Sequence, residues 1–141
     1  MKNLNDFYNY AHNKKIKVTK EDFEDCGIKG LCFCDSKKCE IYLHKGINSI
    51  EEKCVLAEEI GHYEKGIIKT ALEEETEENY LLRSINEFRA KKWAVNKLIP
   101  FDTFKGFLNT NLSKYEIAEQ LEITEEILEL ACFIYEPLLY T

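Results

Sequence analysis

The segment from Cys54 to Tyr63 most constrains the fold, because as a helix it has almost no polar surface. At about 100° per residue, its strongly polar side chains fall within an arc of roughly 100°. These side chains are Glu58, Glu59 and His62. The remainder is an apolar ridge (Leu56, Ile60, Tyr63) and a side of small groups (Cys54, Ala57, Gly61) that permits close helix packing. If other elements surround this helix, three ionisable groups lie inside the protein.

Burying these groups is costly without a counter-charge, and a divalent cation would supply one. The run Glu58-Glu59-Ile60-Gly61-His62 differs by one residue from the zinc-binding pattern H-E-x-x-H. Glu58 and His62 are one helical turn apart and can converge on one ion. Glu59 would then accept a proton from water. The same three side chains also fit a narrow solvated face, and spacing alone does not decide between the two interpretations.

A third metal ligand is expected from the second long helix, where Glu87 is the best candidate. Arg83 and Lys91 lie four residues to either side, so a surface ion pair is the alternative for Glu87. Two carboxylates would cancel the charge of a 2+ ion. We therefore predict weaker zinc binding than at a site with two histidines, and a preference shifted from Zn²⁺ toward harder ions such as Mn²⁺.

Capping and turn signals predict a mixed α+β chain. Before the central helix, we expect a helix over residues 3–14, a helical turn from Thr19 to Asp22, and a hairpin of strands 31–34 and 39–43. Ser49 would cap the central helix and Gly66 would end it. Four helices follow, over residues 73–98, 101–108, 114–121 and 125–135, the third with Ser113 as its cap.

Composition excludes several classes of protein. The net charge of −7 argues against direct nucleic-acid binding. The first residues have no apolar signal-peptide core and no apolar run reaches transmembrane length, so we expect a cytoplasmic protein without a membrane partner. The cysteines are then expected to be reduced thiols. They lie at positions 26, 32, 34, 39, 54 and 132.

The helix-turn-helix pattern from Ser113 to Leu130 does not predict DNA binding, because residues 112–141 contain one lysine and seven glutamates. Its apolar side chains are expected to pack on the core: Tyr115, Ile117, Leu121, Ile127, Leu130 and Ile134. The alternative is an acidic docking surface for a basic, DNA-binding protein. We expect one domain over residues 1–141, with a catalytic core at 1–110 and a helical segment at 111–141.

The order of these features resembles the ImmA/IrrE-type metallo-endopeptidases, small cytoplasmic proteases of phages and mobile elements. The resemblance spans about residues 17–100. The matching segments are Ile28-Lys-Gly-Leu31, Cys39-Glu-Ile-Tyr-Leu43, Val55-Leu-Ala-Glu-Glu-Ile-Gly-His-Tyr63, Glu87-Phe-Arg-Ala90, Trp93-Ala94 and Leu98-Ile-Pro100.

The resemblance implies a minimal zincin core, in which a small sheet packs on the motif helix and a second, Glu-bearing helix. It implies that His62 and Glu87 are metal ligands and that Glu59 is the catalytic base. Glu58 stands where the family usually has its first histidine ligand. The implied activity is cleavage of a transcriptional regulator, such as a helix-turn-helix repressor.

The alternative is a catalytically silent relative that binds a repressor or another partner without cutting it. Tyr63, Tyr80 and His44 are conceivable helpers for the oxyanion or the leaving group, but each is more often a packing residue.

Overall fold

The computed structural model describes residues 1–23, 26–66 and 76–140. Its elements in chain order are α1 (Leu4–Asn13), β1 (Ile16–Glu21), β2 (Gly30–Cys34), β3 (Cys39–His44), α2 (Ser49–Glu64), α3 (Glu77–Leu98), α4 (Phe101–Phe107), α5 (Lys114–Leu121), α6 (Glu125–Tyr135) and a final 3₁₀ helix (Glu136–Tyr140). The predicted α+β class is confirmed, and so are the helices expected near residues 3–14, 101–108, 114–121 and 125–135. Residues 73–75, where α3 was expected to begin, lie outside the described residues.

The sheet has three strands in the order β1-β3-β2. The predicted hairpin is confirmed, because β2 and β3 pair antiparallel with Cys34 opposite Cys39. The helical turn expected at Thr19 is wrong: Thr19 lies in β1, opposite Tyr42 of β3 in a parallel pairing. This contact brings together residues far apart in sequence, and it outweighs the local capping pattern.

Cys34 and Cys39 form a disulfide across the end of the hairpin. The expectation of reduced thiols is therefore wrong for these two cysteines. Their opposite positions in the strand pairing bring the two side chains together. The other four cysteines are free thiols.

The beginning of α2 is fixed by a polar network. The helix is capped by Asn48, whose side chain accepts a hydrogen bond from the Glu51 backbone amide, and not by Ser49 as predicted. Glu52 is then buried, where it pairs with Lys20 at 2.8 Å and accepts a hydrogen bond from the Tyr8 hydroxyl at 2.7 Å. The network ties α2 to β1 and α1, so the direction of the motif helix is set almost two turns before Glu58.

One cluster of buried side chains extends from α1 to α6. Its largest fully buried members are Phe7, Ile41, Leu43, Leu56, Ile60, Val95, Ile99 and Leu128. The C-terminal helices contribute Ala118, Ile127 and Ala131 to the same cluster, as expected for a segment that packs on the core. Tyr115 is an exception, since it is 62% exposed. The division at residue 110 stays a prediction.

Across the described ranges, none of the helices combines the length and the apolar character that a membrane span requires.

Candidate metal centre

The motif helix α2 is buried on most of its surface. Glu59 and His62 are 4% and 2% exposed, and Glu58 is partly buried. A solvated face would leave all three side chains in water, so the solvated-face interpretation fails for Glu59 and His62. The helix therefore brings ionisable groups into the protein interior, where each needs a partner.

The partner helix α3 comes very close to α2 at Gly61. A β-carbon added at Gly61 would lie 2.4 Å from the backbone carbonyl oxygen of Ala90. Only glycine permits this approach. It brings Glu87, about one turn before Ala90 on α3, next to the side chain of His62. The carboxylate oxygen Oε2 of Glu87 lies 3.2 Å from Nε2 of His62.

Three side chains therefore converge at the contact between the two helices. One potential ligand atom from each of Glu58, His62 and Glu87 lies within 4.8 Å of the other two. Two carboxylate oxygens and one imidazole nitrogen form a donor set that suits a divalent ion.

Glu59 lies on the other side of the imidazole. Its Oε1 atom is 3.0 Å from Nδ1 of His62, an ion pair when the imidazole is protonated. Both atoms are buried and have no hydrogen-bond partner among the described residues. Buried polar atoms of this kind call for an additional partner, such as a water molecule or an ion.

The electrostatics of the cluster favour a cation. Burial alone would lower the pKa of His62, but the carboxylates of Glu59 and Glu87 outweigh it and raise that pKa to about 9. Without a metal, His62 is therefore an imidazolium ion at neutral pH and is itself the cation of the cluster. A divalent ion would have to replace this proton, because only neutral imidazole binds metals.

Burial raises the pKa of Glu58, and the positive charge of Lys91 opposes that rise. The carboxylates of Glu59 and Glu87 act in the same direction as burial, since adding a further negative charge near them is unfavourable. A divalent ion would relieve this repulsion. The residues present therefore fit a metal.

A family comparison bears on this geometry. The Peptidase_M78 family model, described as the IrrE N-terminal-like domain, matches residues 11–133. The chain belongs to this family. A comparison with curated proteins finds no match.

Family membership confirms the resemblance seen in the sequence, and it agrees with the α+β architecture described above. The match extends beyond the segments that carried the resemblance and includes α5 and most of α6. The roles of Glu58, Glu59, His62 and Glu87 stay predictions, although the structure brings all four together.

In this IrrE-like chain, the cluster opens into a cavity of about 330 Å³. The cavity is lined by the loop and strand residues Gly27, Ile28, Lys29 and Gly30, by Glu51, Cys54, Val55, Glu58, Glu59 and His62 of α2, by Glu87 and Lys91 of α3, and by Thr124, Glu126 and Ile127 at the beginning of α6. No local pattern predicts that α6 forms one wall, because that contact depends on how the C-terminal helices fold back.

The three conceivable helpers are not among the described residues that line this cavity. The ring of His44 stacks on Phe23, and its Nδ1 atom accepts a hydrogen bond from the Phe23 backbone amide. Tyr63 packs against the core, and Tyr80 is 62% exposed near the beginning of α3. None of them is placed to assist chemistry at Glu59.

Proposed function

We propose that this chain is a metal-dependent endopeptidase of the IrrE-like family, in which Glu58, His62 and Glu87 hold one divalent ion. The observation that carries this proposal is the convergence of their ligand atoms within 4.8 Å, beside a buried fourth carboxylate. Zn²⁺ is the first candidate, and the two carboxylates make Mn²⁺ the second.

Glu59 is the proposed general base. A divalent ion held next to it would polarise the scissile carbonyl and make a nearby water more acidic. Glu59 would accept the proton of that water and pass it to the leaving amine. Its position in the cavity wall, next to the imidazole of His62, supports this role.

An extended peptide is the proposed form of the substrate. Strand β2 is at one edge of the sheet and packs against α2. A β-carbon added at Gly30 would be 2.5 Å from Cγ1 of Val55 and 3.1 Å from Cγ of Glu59. Pairing with a sheet edge is the usual way in which an extended peptide is held. A peptide paired with this edge would run past Glu59.

The proposed protein substrate is a transcriptional regulator, such as a helix-turn-helix repressor. Support comes from the resemblance to ImmA/IrrE-type proteases. The net charge of −7 also suits a DNA-binding partner, since such partners carry basic surfaces. Direct nucleic-acid binding is not part of the proposal.

The test is cleavage of purified helix-turn-helix repressors from the source genome, with products mapped by mass spectrometry. Glu59→Gln removes the proton acceptor and should abolish cleavage while the protein still binds metal. Glu119→Gln, at an exposed position in α5, is the matched control and should cleave like the parent. Cleavage that persists in Glu59→Gln would contradict the assignment of the base.

The second candidate is a relative that binds a repressor without cutting it. The observation that favours it is Glu58, which stands where a histidine ligand is usual in zinc peptidases and makes a weaker site for zinc. Metal content separates the two candidates. A peptidase should take up about one equivalent of divalent metal per chain, whereas a silent relative should bind its partner equally well after treatment with a chelator.

A further inference from the structure

Lys91 is a positive charge in the wall of the candidate metal centre. It lies on α3, one helical turn after Glu87, and it is partly buried in the cavity lined by Glu58 and Glu87. The other lysine among the described lining residues is Lys29, which is paired with Glu51 at 2.7 Å. Lys91 is therefore the lining lysine that shares a helix with Glu87 and lies in the same cavity wall as the ligand candidates.

The net charge of the site suggests a role for the ammonium group of Lys91. A divalent ion held by two neutral histidines and one glutamate has a net charge of about +1. Here Glu58 replaces one of the histidines, so the ion and its three ligands would be neutral. The ammonium group of Lys91 brings the sum back to about +1.

We propose that Lys91 is a positioning residue that restores the positive charge lost where Glu58 stands in place of a histidine. The inference rests on the metal centre proposed above. Lys91 offsets the negative charge of Glu58 and Glu87, so that the loaded site stays electrophilic. It acts through the ligands and does not itself bind the ion.

The proposal predicts an effect of unusual sign on metal affinity. A lysine near a divalent ion repels it and also competes for its carboxylate ligands. Removal of the charge should therefore tighten metal binding, on the order of tenfold at moderate salt. A lysine that only supports the structure would have the opposite effect, because its loss would disorder the ligands and weaken binding.

The experiment measures Zn²⁺ and Mn²⁺ affinity of the full chain by competition with a chromophoric chelator. Lys91→Met removes the charge and keeps much of the side-chain volume, whereas Lys91→Arg keeps the charge. Lys92→Met is the matched control, since Lys92 is the next residue on the same helix and is exposed. We expect tighter binding for Lys91→Met only, with Lys91→Arg and Lys92→Met close to the parent.

Thermal melting with and without metal gives a second readout. The rise in melting temperature on adding Zn²⁺ should be larger for Lys91→Met than for Lys92→Met, because stabilisation of the folded state grows with the logarithm of ligand affinity. Where cleavage is measurable, Lys91→Met should lower kcat at saturating metal. Glu58→His combined with Lys91→Met, which restores the net charge by another route, should recover part of that loss.

The outcomes separate this inference from the function on which it rests. Equal or weaker metal binding by Lys91→Met relative to Lys92→Met, in a parent that binds metal, would overturn the role of Lys91 alone. A parent that takes up no metal at any concentration would overturn both proposals. A parent that binds metal but cleaves no protein would overturn the proposed peptidase activity, and tighter metal binding by Lys91→Met would still support the role of Lys91.

Discussion

The close approach of α2 and α3 at Gly61 predicts that a larger residue there destabilises the protein and disturbs the candidate metal centre. In Gly61→Ala, the new methyl group would meet the carbonyl oxygen of Ala90 at 2.4 Å and its carbonyl carbon at 3.1 Å. These atoms belong to the backbone of a helix and cannot rotate away as a flexible side chain would. The two helices must therefore move apart, and Glu87 must move away from His62.

The expected cost follows from two opposing effects. Overpacking a well-packed interface costs about 1–3 kcal/mol, and the rigid backbone partner places this case near the upper limit. Alanine is favoured over glycine within a helix by about 1 kcal/mol. The net loss in free energy of unfolding is therefore about 2 kcal/mol, which corresponds to roughly 6 °C in melting temperature for a domain of this size.

The assay is thermal and urea unfolding, with zinc affinity measured on the same samples. Gly106→Ala is the matched control, since Gly106 is also helical and a β-carbon there would meet nothing within 4 Å. We expect Gly106→Ala to be neutral or slightly stabilising and to keep its zinc affinity. If Gly61→Ala matched this control in both stability and zinc affinity, the account of the helix contact would be refuted.

Three further predictions concern other parts of the molecule. Glu58→His should raise zinc affinity and the preference for zinc over manganese, because imidazole suits zinc better than a carboxylate does. Unchanged or lower zinc affinity in the chelator assay would mean that Glu58 is not a ligand. Burial lowers the pKa of Lys53, so the unfolded chain holds more protons between that pKa and the ordinary value of 10.5. Stability in urea should therefore rise with pH over that range, and Lys53→Met should abolish the rise; a parallel pH dependence of the two proteins would contradict this. Thiol titration of the unfolded, non-reduced protein should find four free thiols, with Cys34 and Cys39 joined; six thiols would exclude the disulfide.

Most helices could be predicted from the sequence because their signals are local. Ser113, for example, caps α5 with the reciprocal hydrogen bonds that its pattern indicates. The beginning of α2 shows the limit of such signals. Asn48 and Ser49 are both good caps with a glutamate three residues later. The choice of Asn48 places Glu52 against Tyr8 and Lys20, which are distant in sequence.

Strand β1 could not be predicted because its stabilising contacts are distant in sequence. Its pattern has only Ile16 and Val18 as alternating apolar residues, and Thr19 to Asp22 imitates a helix cap. Parallel pairing with β3 decides the structure instead. The disulfide has a related cause, since it depends on the hairpin register that places Cys34 opposite Cys39 and that cysteine content does not reveal.

The candidate site was largely predictable from residue types and spacing. The segment around His62 has too little polar surface for an exposed helix. Glu87 lies on the next long helix, which can fold back and place its carboxylate near His62. For Lys91, helical spacing predicts only an ion pair with Glu87. Its place in the cavity, like that of Thr124, depends on tertiary packing that no local pattern describes.

The most direct test of the metal centre is anomalous diffraction at the zinc edge from crystals of the full chain loaded with Zn²⁺. The account predicts one strong peak at about 2 Å from side-chain atoms of Glu58, His62 and Glu87. A peak at other residues, or none at saturating zinc, would contradict it.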